Sequence, residues 1–179
     1  MLTIDDILAE LEHEADATRR VLERVPEEWL DWRPHPVSLT LGQLAMHVAT
    51  LPGALAEVAA LDGFPAGFVV PRPTAGSTDQ LLEALEASLD RARDILGRMD
   101  EADLAAPWRL LAGDEEVFAL PRRHFIRATL LNHWYHHRGQ LTVYLRHAGA
   151  PVPAIYGDSA DEPALDLRRP SLAAGAIAQ

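Results

Sequence analysis

The sequence contains no cysteine and no lysine. Without cysteine, the chain cannot form disulfide bonds, bind a metal through thiolates or use a cysteine nucleophile. All 16 basic residues are arginine, and 27 acidic residues bring the formal net charge to −11. Because this balance leaves no basic patch that could neutralise phosphates, nucleic acid is not an expected partner.

Long apolar runs are missing as well. No uninterrupted apolar segment approaches the roughly 20 residues that a transmembrane helix needs. The N-terminal stretch MLTIDDILAELEHE is acidic and amphipathic, and it lacks the basic region and apolar core of a signal peptide. These features predict a cytoplasmic protein with no membrane partner.

The 179 residues, of which 48% are hydrophobic, suit one domain with a sizeable core. Apolar residues recur at helical spacing in four stretches, near residues 4–25, 40–61, 77–98 and 122–148. Capping-box patterns begin three of them, at Thr3, Thr40 and Ser77. We therefore predict an all-α protein, a four-helix bundle.

Two segments between these helices have a different character. Residues 61–76 are rich in proline and glycine, which predicts a long crossover between helices 2 and 3. Residues 100–121 lose the helical period and predict a short β-hairpin before helix 4, with Gly113 and Asp114 at its turn. We place the bundle domain at residues 1–162 and a C-terminal tail at 163–179.

The fourth helix contains the most informative stretch, LLNHWYHHRGQLTVYLRH. His133 and His137 lie one turn apart on its apolar face, close enough to hold one metal ion. His47 lies inside the apolar stripe of the second helix, so side-by-side packing would bring three imidazoles together. Three such ligands leave a coordination position open, as in catalytic rather than structural zinc sites. The alternative is a set of hydrogen-bonded core histidines. His136 is expected to face away.

Arg138 follows a predicted ligand, so its guanidinium could bind a carboxylate of a substrate or cofactor. A surface ion pair is the alternative for this residue. Tyr135 and Tyr156 are candidate proton donors or packing residues. Three further acidic residues could close over the site or cap the bundle: Asp158, Asp161 and Glu162.

Three segments together resemble the DinB/YfiT-like superfamily of small bacterial proteins: WLDWRPHPVSLTLGQLAMHVATLP, NHWYHHRGQLTVYLR and VPAIYGDSADE. The resemblance covers roughly residues 5–162. It implies a four-helix bundle with a long crossover, and a divalent metal held by His47, His133 and His137. It also implies a homodimer. Members with assigned activities include metal-dependent thiol transferases that use mycothiol, bacillithiol or glutathione, and a maleylpyruvate isomerase.

With this resemblance, we expect a metal-dependent thiol S-transferase that passes a low-molecular-weight, mycothiol-like thiol to an electrophilic small molecule. Zinc or nickel is the expected metal, and Arg138 is the expected cofactor-binding residue. Two alternatives stay open. One is a metal-dependent hydrolase, and the other is a non-catalytic, metal-binding dimer module related to stress response.

Overall fold

The computed structural model describes residues 2–69 and 71–164, and this part of the chain is mostly helical with one small sheet. The helices are α1 (Ile4–Leu22), α2 (Leu41–Ala60), α3 (Thr78–Leu96), α4 (Glu101–Ala105), α5 (Arg122–Phe125) and α6 (Asn132–His147). The strands are β1 (Gly63–Pro65), β2 (Pro107–Ala112) and β3 (Glu115–Pro121). A 3₁₀ turn spans Glu27–Trp29 and a π-helical segment spans Ile126–Leu131. The predicted tail lies outside the described residues, apart from Pro163 and Ala164.

Side-chain caps set the starts of the long helices. The hydroxyl oxygens of Thr3 and Thr40 accept from the backbone N–H groups three residues on, at 3.2 and 3.1 Å, and both capping boxes are complete. Ser77 caps α3 in the same way at 3.2 Å. The third predicted box is incomplete, because the side chain of Gln80 accepts from the N–H of Gly76 instead.

Helix α2 is the centre of the packing and contacts α1, α3, α6 and the π-helical segment. Its approach to α3 is close at Gly53, where an added Cβ would lie only 2.8 Å from the carbonyl oxygen of Ser88. The Ser88 hydroxyl accepts from the Gly53 N–H at 2.8 Å and donates to the carbonyl of Thr50 at 3.0 Å. This contact joins the two helices at a point where α2 contains a proline.

That proline, Pro52, leaves a backbone acceptor without its usual partner. In a helix the carbonyl of Val48 would accept from the N–H of residue 52, which proline does not have. The indole Nε1 of Trp134 on α6 donates to this carbonyl at 2.9 Å. Trp134 has no exposed surface, so the bond lies in the core. Helix α2 therefore continues through Pro52, and α6 is bonded to it there.

The predicted hairpin is confirmed, with Gly113 at its turn in a positive φ of 64°. Strands β2 and β3 are antiparallel and pair Trp108 with Leu120. The structure adds β1, which the sequence did not predict and which pairs in parallel with β2. A strand of three residues in a segment rich in proline and glycine is too short to show an alternating pattern. The sheet order is β1-β2-β3.

The predicted helix over residues 122–148 is confirmed as an uninterrupted helical run from Arg122 to His147, with a π-helical turn inside it. It is divided into α5, the π-helical segment and α6. π-Helical turns break the 3.6-residue repeat locally and often occur at functional sites. Here the segment ends immediately before the turn of α6 that carries His133 and His137.

Candidate metal centre

Three histidines meet between α2 and α6. His47 comes from the second turn of α2, and His133 and His137 come from the first two turns of α6. The ring centroid of His47 lies 5.6 Å from that of His133 and 4.5 Å from that of His137. One ring nitrogen from each residue can be chosen so that all three lie within 4.8 Å of one another. We call these residues the three-histidine cluster.

Hydrogen bonds hold two of the rings in position. The Nδ1 of His137 lies 2.7 Å from the amide oxygen of Gln140, which is an acceptor. His137 therefore donates from Nδ1, and its Nε2 keeps a lone pair for a ligand bond. This Nε2 lies 2.7 Å from the Nε2 of His133. The Nε2 atoms of His133 and His137 are therefore adjacent, on the side of α6 that faces His47.

Burial keeps these imidazoles neutral. Desolvation, followed by the nearby charges of His137, His133 and Arg72, lowers the pKa of His47 to about 4. Burial is also the main reason that the pKa values of His133 and His137 are lowered. Near neutral pH all three rings are therefore unprotonated, which is the form that binds a metal ion.

The cluster fits a divalent metal in both chemistry and size. Nitrogen ligands about 2.1 Å from one tetrahedral zinc lie about 3.4 Å apart, so a small separation of the His133 and His137 rings from their 2.7 Å contact admits an ion. Imidazole suits zinc, nickel, copper and iron. Within the described parts of the chain, no fourth histidine or carboxylate joins the cluster. The three rings are partly exposed, so a bound ion would keep a position that solvent can reach.

The other predicted histidine positions agree with the helical register. His136 is exposed and lies outside the cluster, although its ring centroid is 5.0 Å from that of His137. His13 and His35 are also exposed. Gln140 is exposed like His136, but its side chain reaches back to His137.

Arg138 is placed in a buried ion pair with Glu14, and the exposed fractions of the two side chains are 2% and 5%. Its Nη1 donates to the backbone carbonyl of Glu14 and to the hydroxyl of Thr18, at 3.1 Å each. The Tyr156 hydroxyl donates to Glu14 at 2.6 Å. The alternative given for Arg138, an ion pair, is therefore present, but it is buried and joins α6 to α1. A role of Arg138 in cofactor binding stays a prediction.

The candidate proton donors also have partners on α1. Tyr135 donates to Glu10 at 2.8 Å, and burial together with this bond raises the pKa of its hydroxyl far above the usual range. Burial raises the pKa of Tyr156 to about 12, with the bond to Glu14 as the second cause. Both hydroxyls are protonated near neutral pH; Tyr135 joins α6 to α1, and Tyr156 joins the C-terminal segment to α1.

The acidic residues of the C-terminal segment bind that segment to the helices. Asp161 pairs with Arg146 of α6 at 2.6 Å and accepts from the backbone of Val152. Glu162 pairs with Arg20 of α1, and Asp158 accepts from the backbone of Ala164. The contacts of Asp161 and Glu162 attach the C-terminal segment to α6 and α1, while the two predicted roles, closing over the site and capping the bundle, stay predictions.

The residues that the sequence interpretation missed lie on α1. Glu14 is 4% exposed and Thr18 is fully buried. Glu14 falls between Leu11 and Ala15 on the apolar face of the helix, and a carboxylate at such a position needs a buried partner. The position of Glu14 on the apolar face could therefore have indicated a buried ion pair. Its partner is Arg138, the basic residue beside His137.

The fold is mostly helical with a small sheet, and three histidines could hold a metal ion. The protein is therefore of the class of small helical proteins with a candidate metal site made of histidines. The sequence model of the DinB family matches residues 1–170, and the chain therefore belongs to the DinB family. No helix within the described ranges is both long and apolar enough to cross a bilayer.

The similarity to known relatives, in sequence and in structure, extends over most of the chain. The chain is 28% identical over 165 residues to the uncharacterized protein YrdA of Bacillus subtilis, covering 89% of this chain and 92% of that protein. A DinB-like protein from Bacillus cereus has a crystal structure that matches with a TM-score of 0.69 and 27% identity, covering 86% of this chain and 98% of the other. The B. subtilis DinB-like protein YjoA shares the fold at a TM-score of 0.60 and 19% identity, covering 80% and 91%.

Proposed function

We propose that the chain is a divalent-metal-dependent enzyme that transfers a low-molecular-weight thiol to an electrophilic small molecule. The observation that carries this proposal is the three-histidine cluster with only three candidate ligands among the described residues. Structural zinc sites are closed by four protein ligands, whereas catalytic sites leave a position for water or substrate. When bound there, a divalent ion would lower the pKa of a thiol or water and supply a nucleophile near neutral pH.

The protein's own residues prepare this site before any ligand arrives. Gln140 fixes the ring of His137 with its Nε2 toward the cluster, where this atom lies 2.7 Å from the Nε2 of His133. Partners of this kind orient ligand histidines and make them more basic. The bond from Trp134 to the carbonyl of Val48 fixes the position of α6 against α2.

A thiol is the proposed nucleophile because zinc and nickel both accept sulfur ligands. The chain has no cysteine, so the thiol must come from a separate molecule. A mycothiol-like compound meets this requirement, and other low-molecular-weight thiols share its sulfur chemistry. We propose that Arg138 binds the cofactor. In the structure its guanidinium is paired with Glu14, so this role requires a second conformation in which that ion pair is broken.

Two further properties belong to the same proposal. We propose that α1, α2, α3 and the unit from α5 to α6 form the four helices of a bundle that ends at residue 162. We also propose that the protein is a homodimer in the cytoplasm. Analytical ultracentrifugation checks the second point, because a monomer sediments with a mass of 19.7 kDa.

The metal step is tested with protein expressed without a histidine tag. Elemental analysis and thermal unfolding are measured for the wild type, His137→Ala and His136→Ala. We expect His137→Ala to lose the ion and His136→Ala to keep it. A metal at a hundredfold excess over its Kd should add roughly 2.7 kcal/mol to the free energy of unfolding.

The thiol step is tested by adding mycothiol, bacillithiol or glutathione with an electrophilic acceptor. Turnover that needs both the metal and a thiol supports the transferase. Turnover that needs the metal alone favours the hydrolase. Metal binding without any thiol contact to the ion favours the non-catalytic module.

A further inference from the structure

The line along which α2 and α6 pack, which we call the α2/α6 seam, continues beyond the three-histidine cluster. The ring centroid of His47 on α2 lies 4.5 Å from that of His137 on α6. Later in α6, the hydroxyl of Tyr144 donates at 3.3 Å to the carbonyl of Leu39, just before α2. The two helices therefore run antiparallel, and the seam extends from the cluster to Tyr144.

Tyr144 lies on the same face of α6 as the two cluster histidines of that helix. It follows His137 by seven residues, which is about two helical turns. At a rise of about 1.5 Å per residue, the two positions are about 10 Å apart along the axis. Gln140, which is exposed and bonded to His137, lies between them on this face. One small molecule can span this distance.

Trp32 lies at the far end of the seam, against Tyr144. Its ring centroid is 5.7 Å from that of Tyr144, edge to face, and 5.7 Å from that of His147. The backbone of Trp32 is fixed too, because the N–H of Leu41 donates to its carbonyl at 2.8 Å. The ring is therefore held between the first residue of α2 and the last turn of α6. We call Trp32 and Tyr144 the aromatic pair.

The aromatic pair keeps surface that packing in the core would have covered. Both rings are partly exposed, whereas Trp108 and Trp134, which belong to the core, are 3% and 0% exposed. Small-molecule sites combine an apolar, often aromatic lining with a few polar groups that fix the ligand. The seam has this arrangement, with the histidines at one end and the aromatic pair at the other.

We propose that the aromatic pair binds an aromatic ring of the electrophilic molecule, while the electrophile's reactive atom lies at the open position of the three-histidine cluster. A ring placed there gains edge-to-face or stacked contacts in addition to burial. The assignment rests on the proposed function, because it takes the open position and the electrophile from there. It adds the substrate class, an aromatic electrophile whose ring is joined to the reactive atom by a chain of several atoms.

The experiment measures the binding of two thiols to nickel-loaded protein through the thiolate-to-metal charge-transfer absorption. In 4-phenylbutane-1-thiol the sulfur represents the thiol cofactor and the ring represents the electrophile. Butane-1-thiol lacks the ring. Because both are primary alkyl thiols, their bonds to the metal are alike, and the ratio of their Kd values within one protein reports the ring. A variant's loss of metal affinity cancels in this ratio.

We expect the wild type to bind 4-phenylbutane-1-thiol roughly tenfold more tightly than butane-1-thiol. Trp32→Leu and Tyr144→Leu should each reduce this preference by roughly threefold, because each removes an aromatic surface. Tyr144→Phe should retain the preference, since it keeps the ring and loses only the bond to Leu39.

Val143→Ala is the matched control. Val143 is 56% exposed and precedes Tyr144, but it points about 100° away around α6. Removing its apolar surface should leave the ratio unchanged. A ratio near one in the wild type, or the same ratio in Trp32→Leu and Tyr144→Leu, would refute the role of the aromatic pair while the proposed function stands. If the wild type binds no nickel, or binds nickel and neither thiol, the proposed function fails and the role of the aromatic pair fails with it.

Discussion

The bond between Trp134 and the carbonyl of Val48 allows a test of how α2 tolerates its internal proline. The carbonyl has no helical donor, because Pro52 stands four residues on, and the indole supplies one at 2.9 Å. Trp134→Phe keeps an aromatic ring in the core but removes the donor. Pro52→Ala supplies a backbone N–H at the position from which a helix normally donates to Val48.

The magnitude follows from the burial of this contact. An unsatisfied buried carbonyl costs about 1–3 kcal/mol. The smaller ring loses roughly another 1–2 kcal/mol of buried apolar surface. Trp134→Phe should therefore lower the free energy of unfolding by about 2–4 kcal/mol. In the Pro52→Ala background the carbonyl keeps a donor, so the same substitution should cost at least about 1 kcal/mol less.

The assay is urea unfolding, followed by circular dichroism in a metal-free buffer, for the wild type, both single variants and the double variant. Trp108→Phe is the control, since its indole donates to Val58 at 3.0 Å, where no proline removes a donor. Its cost should be the same with and without Pro52. If the Trp134 and Pro52 effects add to within about 0.5 kcal/mol, the tryptophan does not satisfy that carbonyl and the reasoning is refuted.

Three further predictions follow from the site and its surroundings. Glu14→Ala leaves Arg138 charged and buried without its partner, so it should cost about 3–5 kcal/mol in urea unfolding while metal content stays unchanged. Gln140→Ala frees the ring of His137 and should weaken nickel binding about tenfold to a hundredfold in a competition titration. The pKa values of the cluster histidines are lowered on folding, to about 4 for His47, so protonation favours the unfolded chain. The thermal midpoint of metal-free protein should therefore be highest above about pH 6.5 and fall as the pH approaches 4, whereas His47→Ala should flatten this dependence.

The sequence predicted the features that depend on local chemistry. Helix starts at Thr3 and Thr40 were correct, because a capping box uses residues three positions apart. The turn at Gly113 was correct for a similar reason, since a positive φ favours glycine. The helical spacing of His133 and His137 also placed both on one face and left His136 exposed.

Features that depend on distant partners were not predictable in this way. Strand β1 exists because β2, more than 40 positions later in the chain, offers it a free edge. The π-helical segment changes the helix repeat without changing the apolar pattern that was used to find the helix. Arg138 reads as a surface residue until Glu14 on another helix is known to face it. The contact of Arg72 with Gln43 likewise joins a loop to a helix start that the spacing rules treat separately.

The three-histidine cluster lies next to the hydrogen bond between Trp134 and the carbonyl of Val48, which joins α6 to α2 in the core. Val48 follows His47, and Trp134 follows His133, so one buried hydrogen bond lies a single residue from a cluster histidine on each helix. Sliding of α6 along α2 would break this bond before the rings moved far apart. Because an unmade bond here leaves a buried carbonyl unsatisfied, this core contact stabilises the position of the histidines. Trp134→Phe should therefore weaken nickel binding as well as stability, whereas Trp108→Phe should reduce stability alone. Equal nickel affinity in both tryptophan variants would show that the core contact does not position the cluster.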